Sequence, residues 1–93
     1  MNIQEMMKQA KKMQQEIANK QDKLNSTEFT FEKQGVKLVV LGNRQIKSIE
    51  INEVLVDPDD KEMLEDIIIL TINEAIKELD KKHDELMPKG MGI

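Results

Sequence analysis

The chain contains no cysteine, tryptophan or tyrosine, and Phe29 and Phe31 are its only aromatic residues. Without cysteine it cannot form a disulfide, and with one histidine a structural zinc site is not expected. No segment approaches the roughly 20 consecutive apolar residues of a membrane-spanning helix. The first residues also lack the apolar core of a signal peptide. We therefore expect a cytoplasmic protein that does not contact membranes.

Residue patterns typical of catalysis are equally scarce. The four glycines are scattered and form no phosphate-binding loop. His83 lies in a charged segment and is typical of a solvated residue near a helix C-terminus. Asp57, Asp59 and Asp60 lack the further ligands of a calcium loop, and a helix start explains them better. We expect a non-enzymatic protein with no cofactor, no metal and no small-molecule substrate.

The length of 93 residues predicts a single domain. Such a short chain buries only about 60–65% of its unfolded surface, so association with a second copy is a common way to complete the core. Pro88 and Gly90 indicate that the last helix ends near Met87. The predicted boundaries are therefore a domain over residues 1–87 and a flexible C-terminal tail over residues 88–93.

Charge is distributed unevenly along the chain. The net charge is −4, yet residues 1–47 carry nine basic and five acidic side chains, a net of +4, and residues 48–93 carry −8. This asymmetry has two interpretations. The basic half binds a charged partner, or the two halves complement each other.

The first 25 residues have the pattern of one long helix. Ile3, Ala10, Ile17 and Leu24 are spaced seven residues apart, and methionines occupy positions between them. This repeat is typical of a coiled-coil-like seam. Asn25 and Ser26 interrupt it, which predicts a helix over residues 2–25.

Residues 27–51 have the pattern of a three-stranded antiparallel meander. Phe29 and Phe31 alternate with polar residues, which indicates a strand with one wet face. The segment 36–41 is apolar except for Lys37, which predicts a central strand covered on both faces. Turns are expected at residues 34–35 and 42–45. The third strand, from Ile46, alternates imperfectly, so its facing stays open.

A second long helix is predicted after residue 56, with Asp57 as its N-cap and Pro58 at its first position. One face comprises Leu64, Ile68, Thr71, Ala75, Leu79 and Leu86. The run of four apolar residues from Ile67 covers every side of a helix, and a single small chain cannot bury all sides. We therefore predict a homodimer with an interface formed by sheet edges together with Ile67, Ile68, Ile69, Leu70 and Ile72.

The lysines of the first helix project away from its apolar seam. Lys11, Lys12 and Lys23 lie within about 60° of Lys8 around the helix axis. Such a ridge can contact phosphates without reading base sequence. A solvated surface of mixed charge is the alternative, because Glu5, Glu16 and Asp22 share much of this face.

Three segments resemble the YbaB/EbfC family of nucleoid-associated proteins. They are MMKQAKKMQQEI in the first helix, VKLVVLGNRQIKSIEI in the hairpin, and IEINEVLVDPDDKEMLEDIIILTINEAIKEL leading into the last helix. The resemblance covers nearly the whole chain in order. It implies an α-β-β-β-α fold, a tweezer-like homodimer, and a small cytoplasmic protein that binds double-stranded DNA. Lys8 and Gln9 match the family's first-helix stretch.

Together these observations predict an α+β nucleoid-associated protein that binds double-stranded DNA as a homodimer, with a role in nucleoid organisation or gene regulation. The predicted DNA-contacting residues are Lys8, Gln9, Lys11, Lys12 and Lys23. The alternative function is a dimeric coiled-coil-like adaptor or chaperone that binds a protein partner. Two long helices around a sheet and seven methionines also suit that function.

Overall fold

A computed structural model describes residues 2–86. The elements are α1 (Ile3–Ser26), β1 (Glu28–Lys33), β2 (Val36–Leu41), β3 (Ile46–Ile51), a 3₁₀ turn (Glu53–Leu55) and α2 (Lys61–Glu85). The predicted α+β class and the α-β-β-β-α order are confirmed. The tail predicted over residues 88–93 lies outside the described residues.

The three strands form an antiparallel sheet in the order β1-β2-β3, as the meander pattern predicts. Gln34 and Gly35 connect β1 to β2 with φ values of 47° and 98°. A two-residue hairpin needs positive φ at such positions, and glycine adopts it without steric cost. The expected turn between β2 and β3 spans residues 42–45, and Arg44 has a φ of 72° there.

A bulge in β3 explains the imperfect alternation of that strand. The register between β2 and β3 shifts between Val39 and Val40, and Lys47 has no partner there. One extra residue in a strand shifts by one position the alternation of the later side chains between the two faces of the sheet. Ile46 and Ile49, three residues apart, therefore lie on the same face of the sheet.

The core lies between α2 and one face of the sheet, where α2 crosses β1 and β2. The buried residues are Val36, Leu38, Val40, Ile67, Thr71, Ala75 and Leu79. Thr71 is tolerated because its hydroxyl donates to the carbonyl oxygen of Ile67 at 2.7 Å.

The expectation that β2 is covered on both faces is wrong. On the face away from α2, Lys37 is exposed and Val39 is only half-buried. Within residues 2–86, α2 is the only helix that packs across the sheet, because α1 contacts β2 and then extends away.

The predicted start of α2 is also wrong. The helix begins at Lys61, after Asp60, and the Asp57 carboxylate instead accepts from the backbone N–H of Asp59 at 2.9 Å. The Asp60 N–H donates to the Asp57 carbonyl at 3.0 Å, closing a turn with Pro58 at its second position. Asp and Pro favour this turn for the same reasons that they favour a helix start.

Candidate nucleic-acid interface

The first part of helix α1 projects from the rest of the molecule, and residues 2–16 are all exposed. None of the 24 residues of α1 is buried. The molecule measures 71 × 24 × 13 Å. A 24-residue helix is about 36 Å long, which is about half of the longest dimension. Asn2 caps the start of the helix, because its side chain accepts from the N–H of Gln4 at 3.0 Å. We call residues 3–16 the α1 arm and the remainder the body.

The base of α1 is seated on the turn between β2 and β3. The N–H of Gly42 donates to the Thr27 carbonyl at 2.9 Å, and the N–H of Asn43 donates to the Asn25 carbonyl at 3.3 Å. A Cβ at Gly42 would lie only 1.8 Å from the Leu24 carbonyl oxygen. Only glycine permits this approach, so residue 42 fixes where the arm leaves the body.

Three lysines of the α1 arm form one solvent-exposed surface, which we call the lysine face: Lys8, Lys11 and Lys12. None of them takes part in the three ion pairs found among residues 2–86, which involve Lys33, Arg44 and Lys47. The helix thus brings together three of the predicted contact residues with their ammonium groups free.

The other two predicted contact residues occupy different positions. Gln9 is exposed at the border of the lysine face, about 100° around the helix from Lys8. Lys23 is exposed near the base of α1, on the same side as Lys8 but about four turns further along. The four lysines therefore lie along one side of α1, whereas Gln9 lies between that side and the apolar side.

The electrostatic character of the two helices is opposite. Helix α1 has five lysines and three acids, a net charge of +2, whereas α2 has four lysines and eight acids, a net of −4. Glu5 and Asp22 lie on the same side of α1 as the lysine face and Lys23, and they reduce the positive charge there. A polyanion is attracted to α1 and repelled by α2.

A second exposed feature is an apolar patch between β3 and α2, which we call the isoleucine patch: Ile46, Ile49, Ile69, Ile72 and Ile76. Three of these residues lie on α2 at spacings of three and four, and two lie on β3. Ile46 and Ile49 remain 49% and 42% exposed because α2 covers β1 and β2 instead. Ile46, Ile72 and Ile76 border a cleft of about 60 Å³.

The residues predicted for a dimer interface have different surroundings. Ile67 is buried in the core between α2 and the sheet of the same chain, so it is not available to a second copy. Ile68 and Ile72 are half-buried. Ile69 and Leu70 are each at least half exposed, but Leu70 lies on the side of α2 near Lys33.

Sequence reasoning did not identify Ile46, Ile49 and Ile76 as candidates for the same interface. The sequence did contain a signal for them. Its third strand has apolar residues, and one helix is too narrow to cover three strands, so part of that strand had to remain uncovered.

His83 is not the solvated residue that the sequence predicts. It is half-buried, and its Nε2 atom lies 2.7 Å from the carbonyl oxygen of Gly42, 41 positions away in sequence. This contact links α2 to the turn on which the base of α1 is seated. Across residues 2–86 there is no cluster of three or more His, Cys, Asp or Glu side chains suited to a metal.

A membrane-spanning helix is absent from residues 2–86, since neither long helix is sufficiently apolar.

Comparisons with known proteins agree with this architecture. The chain is 55% identical over 86 residues to a nucleoid-associated protein of Mycoplasmopsis pulmonis, covering 92% of this chain and 86% of that one. It is 47% identical over 89 residues to a nucleoid-associated protein of Metamycoplasma arthritidis, covering 96% and 94%.

The crystal structure of an uncharacterized protein from Helicobacter pylori has the same fold, with a TM-score of 0.75 over 92% of each chain and 18% identity. The sequence model of the YbaB/EbfC DNA-binding family matches residues 1–92. The resemblance seen in the sequence is thereby confirmed, and the chain belongs to the YbaB/EbfC DNA-binding family.

Proposed function

We propose that this protein is a homodimeric nucleoid-associated protein that binds double-stranded DNA through the phosphate backbone and has no catalytic activity. Its place of action is the nucleoid in the cytoplasm, where it organises DNA or regulates genes. One observation carries the proposal: the lysine face stands on a helix that projects from the body, with its ammonium groups unpaired.

The chemistry of the α1 arm suits phosphates better than bases. Lysine is a flexible point charge that contacts a phosphate without fixing orientation. The arm offers no arginine for bidentate base recognition and no aromatic ring on which a base could stack. Binding is therefore insensitive to DNA sequence and strongly dependent on salt.

The isoleucine patch supports the homodimer. A cleft with an apolar floor, bordered by the unpaired edge of β3, is typical of a surface that another protein covers. A second copy with the same patch provides the missing apolar cover for β3. A two-fold axis through the patch makes the contact self-complementary, as in most homodimers.

Dimerisation serves DNA binding because one arm provides few charges. With two arms on one dimer, binding of the first raises the effective concentration of the second at the same duplex. Two weak sites at fixed spacing thus bind more tightly than either alone.

The experiment is fluorescence anisotropy of a labelled duplex at about 50 and about 200 mM salt. Six phosphate contacts from two lysine faces predict that affinity falls about a thousandfold over this range. The variant Lys8→Gln/Lys11→Gln/Lys12→Gln is expected to lose most of this affinity and most of the salt dependence.

The matched control removes three exposed lysines from elsewhere in the chain: Lys37, Lys61 and Lys77, each replaced by Gln. It changes net charge equally and is expected to keep most of the affinity. Equal loss in both variants would contradict a localised site on α1. No binding by the parent protein at low salt would reject the DNA proposal and favour the adaptor that binds a protein partner.

A further inference from the structure

The apolar side of the α1 arm has no cover within residues 2–86. Ile3, Met6 and Met13 expose 72%, 50% and 57% of their surface. With Ala10 they form a row on the side of the helix opposite the lysine face, which we call the α1 stripe: Ile3, Met6, Ala10 and Met13. The row continues to Ile17, which is half-buried where the helix meets the body.

The spacing of the α1 stripe is suited to a second helix. Its residues recur every three or four positions, which is the repeat by which side chains interdigitate in coiled coils. Ala10 lies in the middle of the stripe, where a small side chain leaves room for a long one from the facing helix. Methionine adapts its shape to such gaps.

The flanks of the α1 stripe indicate which helix this is. The positions beside the stripe and its continuation to Ile17 are Met7, Gln9, Gln14, Glu16 and Lys20, of which Glu16 and Lys20 carry opposite charges. In paired helices these flanking positions select the partner through their charges. Flanks whose charges cancel allow two identical helices to meet without net repulsion, while the lysine faces of both point outward.

We propose that the α1 stripe packs against the α1 stripe of a second copy in an antiparallel pair. In the register that alternates large and small residues, Ala10 lies opposite Met13 of the second copy and Met6 lies opposite Ile17. The same register brings Gln9 beside Glu16 of the second copy, where the amide can donate to the carboxylate. The pair has a two-fold axis, so both halves are equivalent.

The direction follows from the shape of the molecule. Packed helix axes lie about 8–10 Å apart, whereas the molecule is 24 Å wide and 13 Å thick. A parallel pair brings two bodies to the same end, where they collide. An antiparallel pair separates the two bodies by roughly 20 Å of helix. Two copies whose arms pair in this way therefore do not also contact each other through their isoleucine patches. The arms therefore connect one dimer to another.

The size of the contact predicts a transient association. Each stripe exposes roughly 400 Å² of apolar surface, which is within the range of the largest patches on typical monomers. Two stripes bury about 800 Å², less than the roughly 1,200 Å² at which stable interfaces begin. Binding of dimers along DNA raises their effective concentration and makes the contact significant.

Paired arms carry lysine faces on both outer sides and can hold two duplexes together. This bridging rests on the proposed function, whereas the pairing of the arms does not. The two statements are tested separately.

The pairing is tested by disulfide trapping, because the parent chain has no cysteine. Dimers carrying Ala10→Cys and dimers carrying Met13→Cys are mixed without DNA at high protein concentration, oxidised and separated by mass. The mixed disulfide is expected to form at least five times faster than any disulfide involving Lys8→Cys, which lies on the lysine face.

Two results would overturn the pairing. One is a rate for Lys8→Cys equal to that of the stripe variants. The other is faster homodisulfide formation by Ala10→Cys than mixed disulfide formation, because a parallel pair in register would produce it. A protein that fails to bind DNA still yields a decisive answer here.

The bridging is tested by capture of a fluorescent duplex on beads that carry a second duplex. The variant Met6→Gln/Met13→Gln is expected to capture at least fivefold less than the parent, with affinity for a single duplex within twofold. Met63→Gln, which alters an exposed methionine of α2, is the control and should capture normally. Undiminished capture by the double variant would refute bridging through the arms.

Discussion

The Nε2 atom of His83 lies 2.7 Å from the carbonyl oxygen of Gly42, and this contact ties the last turns of α2 to the turn that seats α1. Nearby, Arg44 bonds Asp80 at 2.6 Å, and the ammonium group of Lys82 lies 5.1 Å from the centre of the Phe29 ring. These contacts join α2 to β1 and to the turn after β2, on which the base of α1 is seated. The direction of the lysine face depends on this junction.

Replacement of His83 by Ala is expected to lower the free energy of unfolding by about 1–2 kcal/mol, because the buried Gly42 loses its side-chain hydrogen-bond partner. Urea denaturation followed by circular dichroism measures the change. Asp84→Ala, at the exposed neighbouring residue, should have a small effect. Equal midpoints for the parent and the His83 variant would contradict the structural role.

Replacement of Gly42 by Ala is expected to displace the base of α1, since the added Cβ would lie 1.8 Å from the Leu24 carbonyl oxygen. Overpacking of this kind costs about 1–3 kcal/mol, and a domain of this size loses about 4–8 °C in melting temperature per kcal/mol. Thermal melts report the loss. Ser48→Ala, on the exposed face of β3, is the control. A melting temperature equal to that of the parent would show that the close approach is not rigid.

Replacement of Ile76 by Asp is expected to split the homodimer, because a charge in the isoleucine patch cannot be buried without a partner. Light scattering should then give the mass of one chain, 10.8 kDa, instead of twice that value. Met63→Asp adds the same charge to an exposed position of α2 outside the patch and should leave the dimer intact. A dimeric Ile76 variant would move the interface elsewhere.

Leu70→Asp defines the extent of the same interface. Leu70 is 50% exposed on the side of α2 that faces away from the isoleucine patch. If the interface is confined to the patch, this variant stays dimeric. Dissociation would show that the contact continues around α2, as the sequence alone predicts.

Replacement of Lys23 by Gln is expected to lower the slope of log affinity against log salt by about two for a dimer, since each lost phosphate contact reduces the slope by about 0.9. Lys20→Gln removes an exposed lysine of α1 that lies on the side of the apolar seam and should change the slope less. A slope for the Lys23 variant equal to that of the parent would restrict the DNA contact to the α1 arm.

Much of the fold could be predicted because local signals agreed with the tertiary structure. The seven-residue repeat from Ile3 and the positive-φ turn at Gly35 each depend on neighbours in sequence. The start of α2 was predicted wrongly because Asp57 and Pro58 suit both a turn and a helix N-terminus. The choice between a turn and a helix N-terminus at Asp57 and Pro58 depends on where the following residues pack in the tertiary structure.

The sequence by itself determined the order of elements and the basic character of the first helix, because these follow from periodicity and composition, and its resemblance to known sequences determined the family. The tertiary structure decided which apolar residues are buried and which remain uncovered. Ile67 and Ile69 are two residues apart, yet the first is 5% exposed and the second 57%, because α2 turns only one side towards the sheet. The seat of α1 against Gly42 is also a tertiary fact, since it joins segments that are distant in sequence.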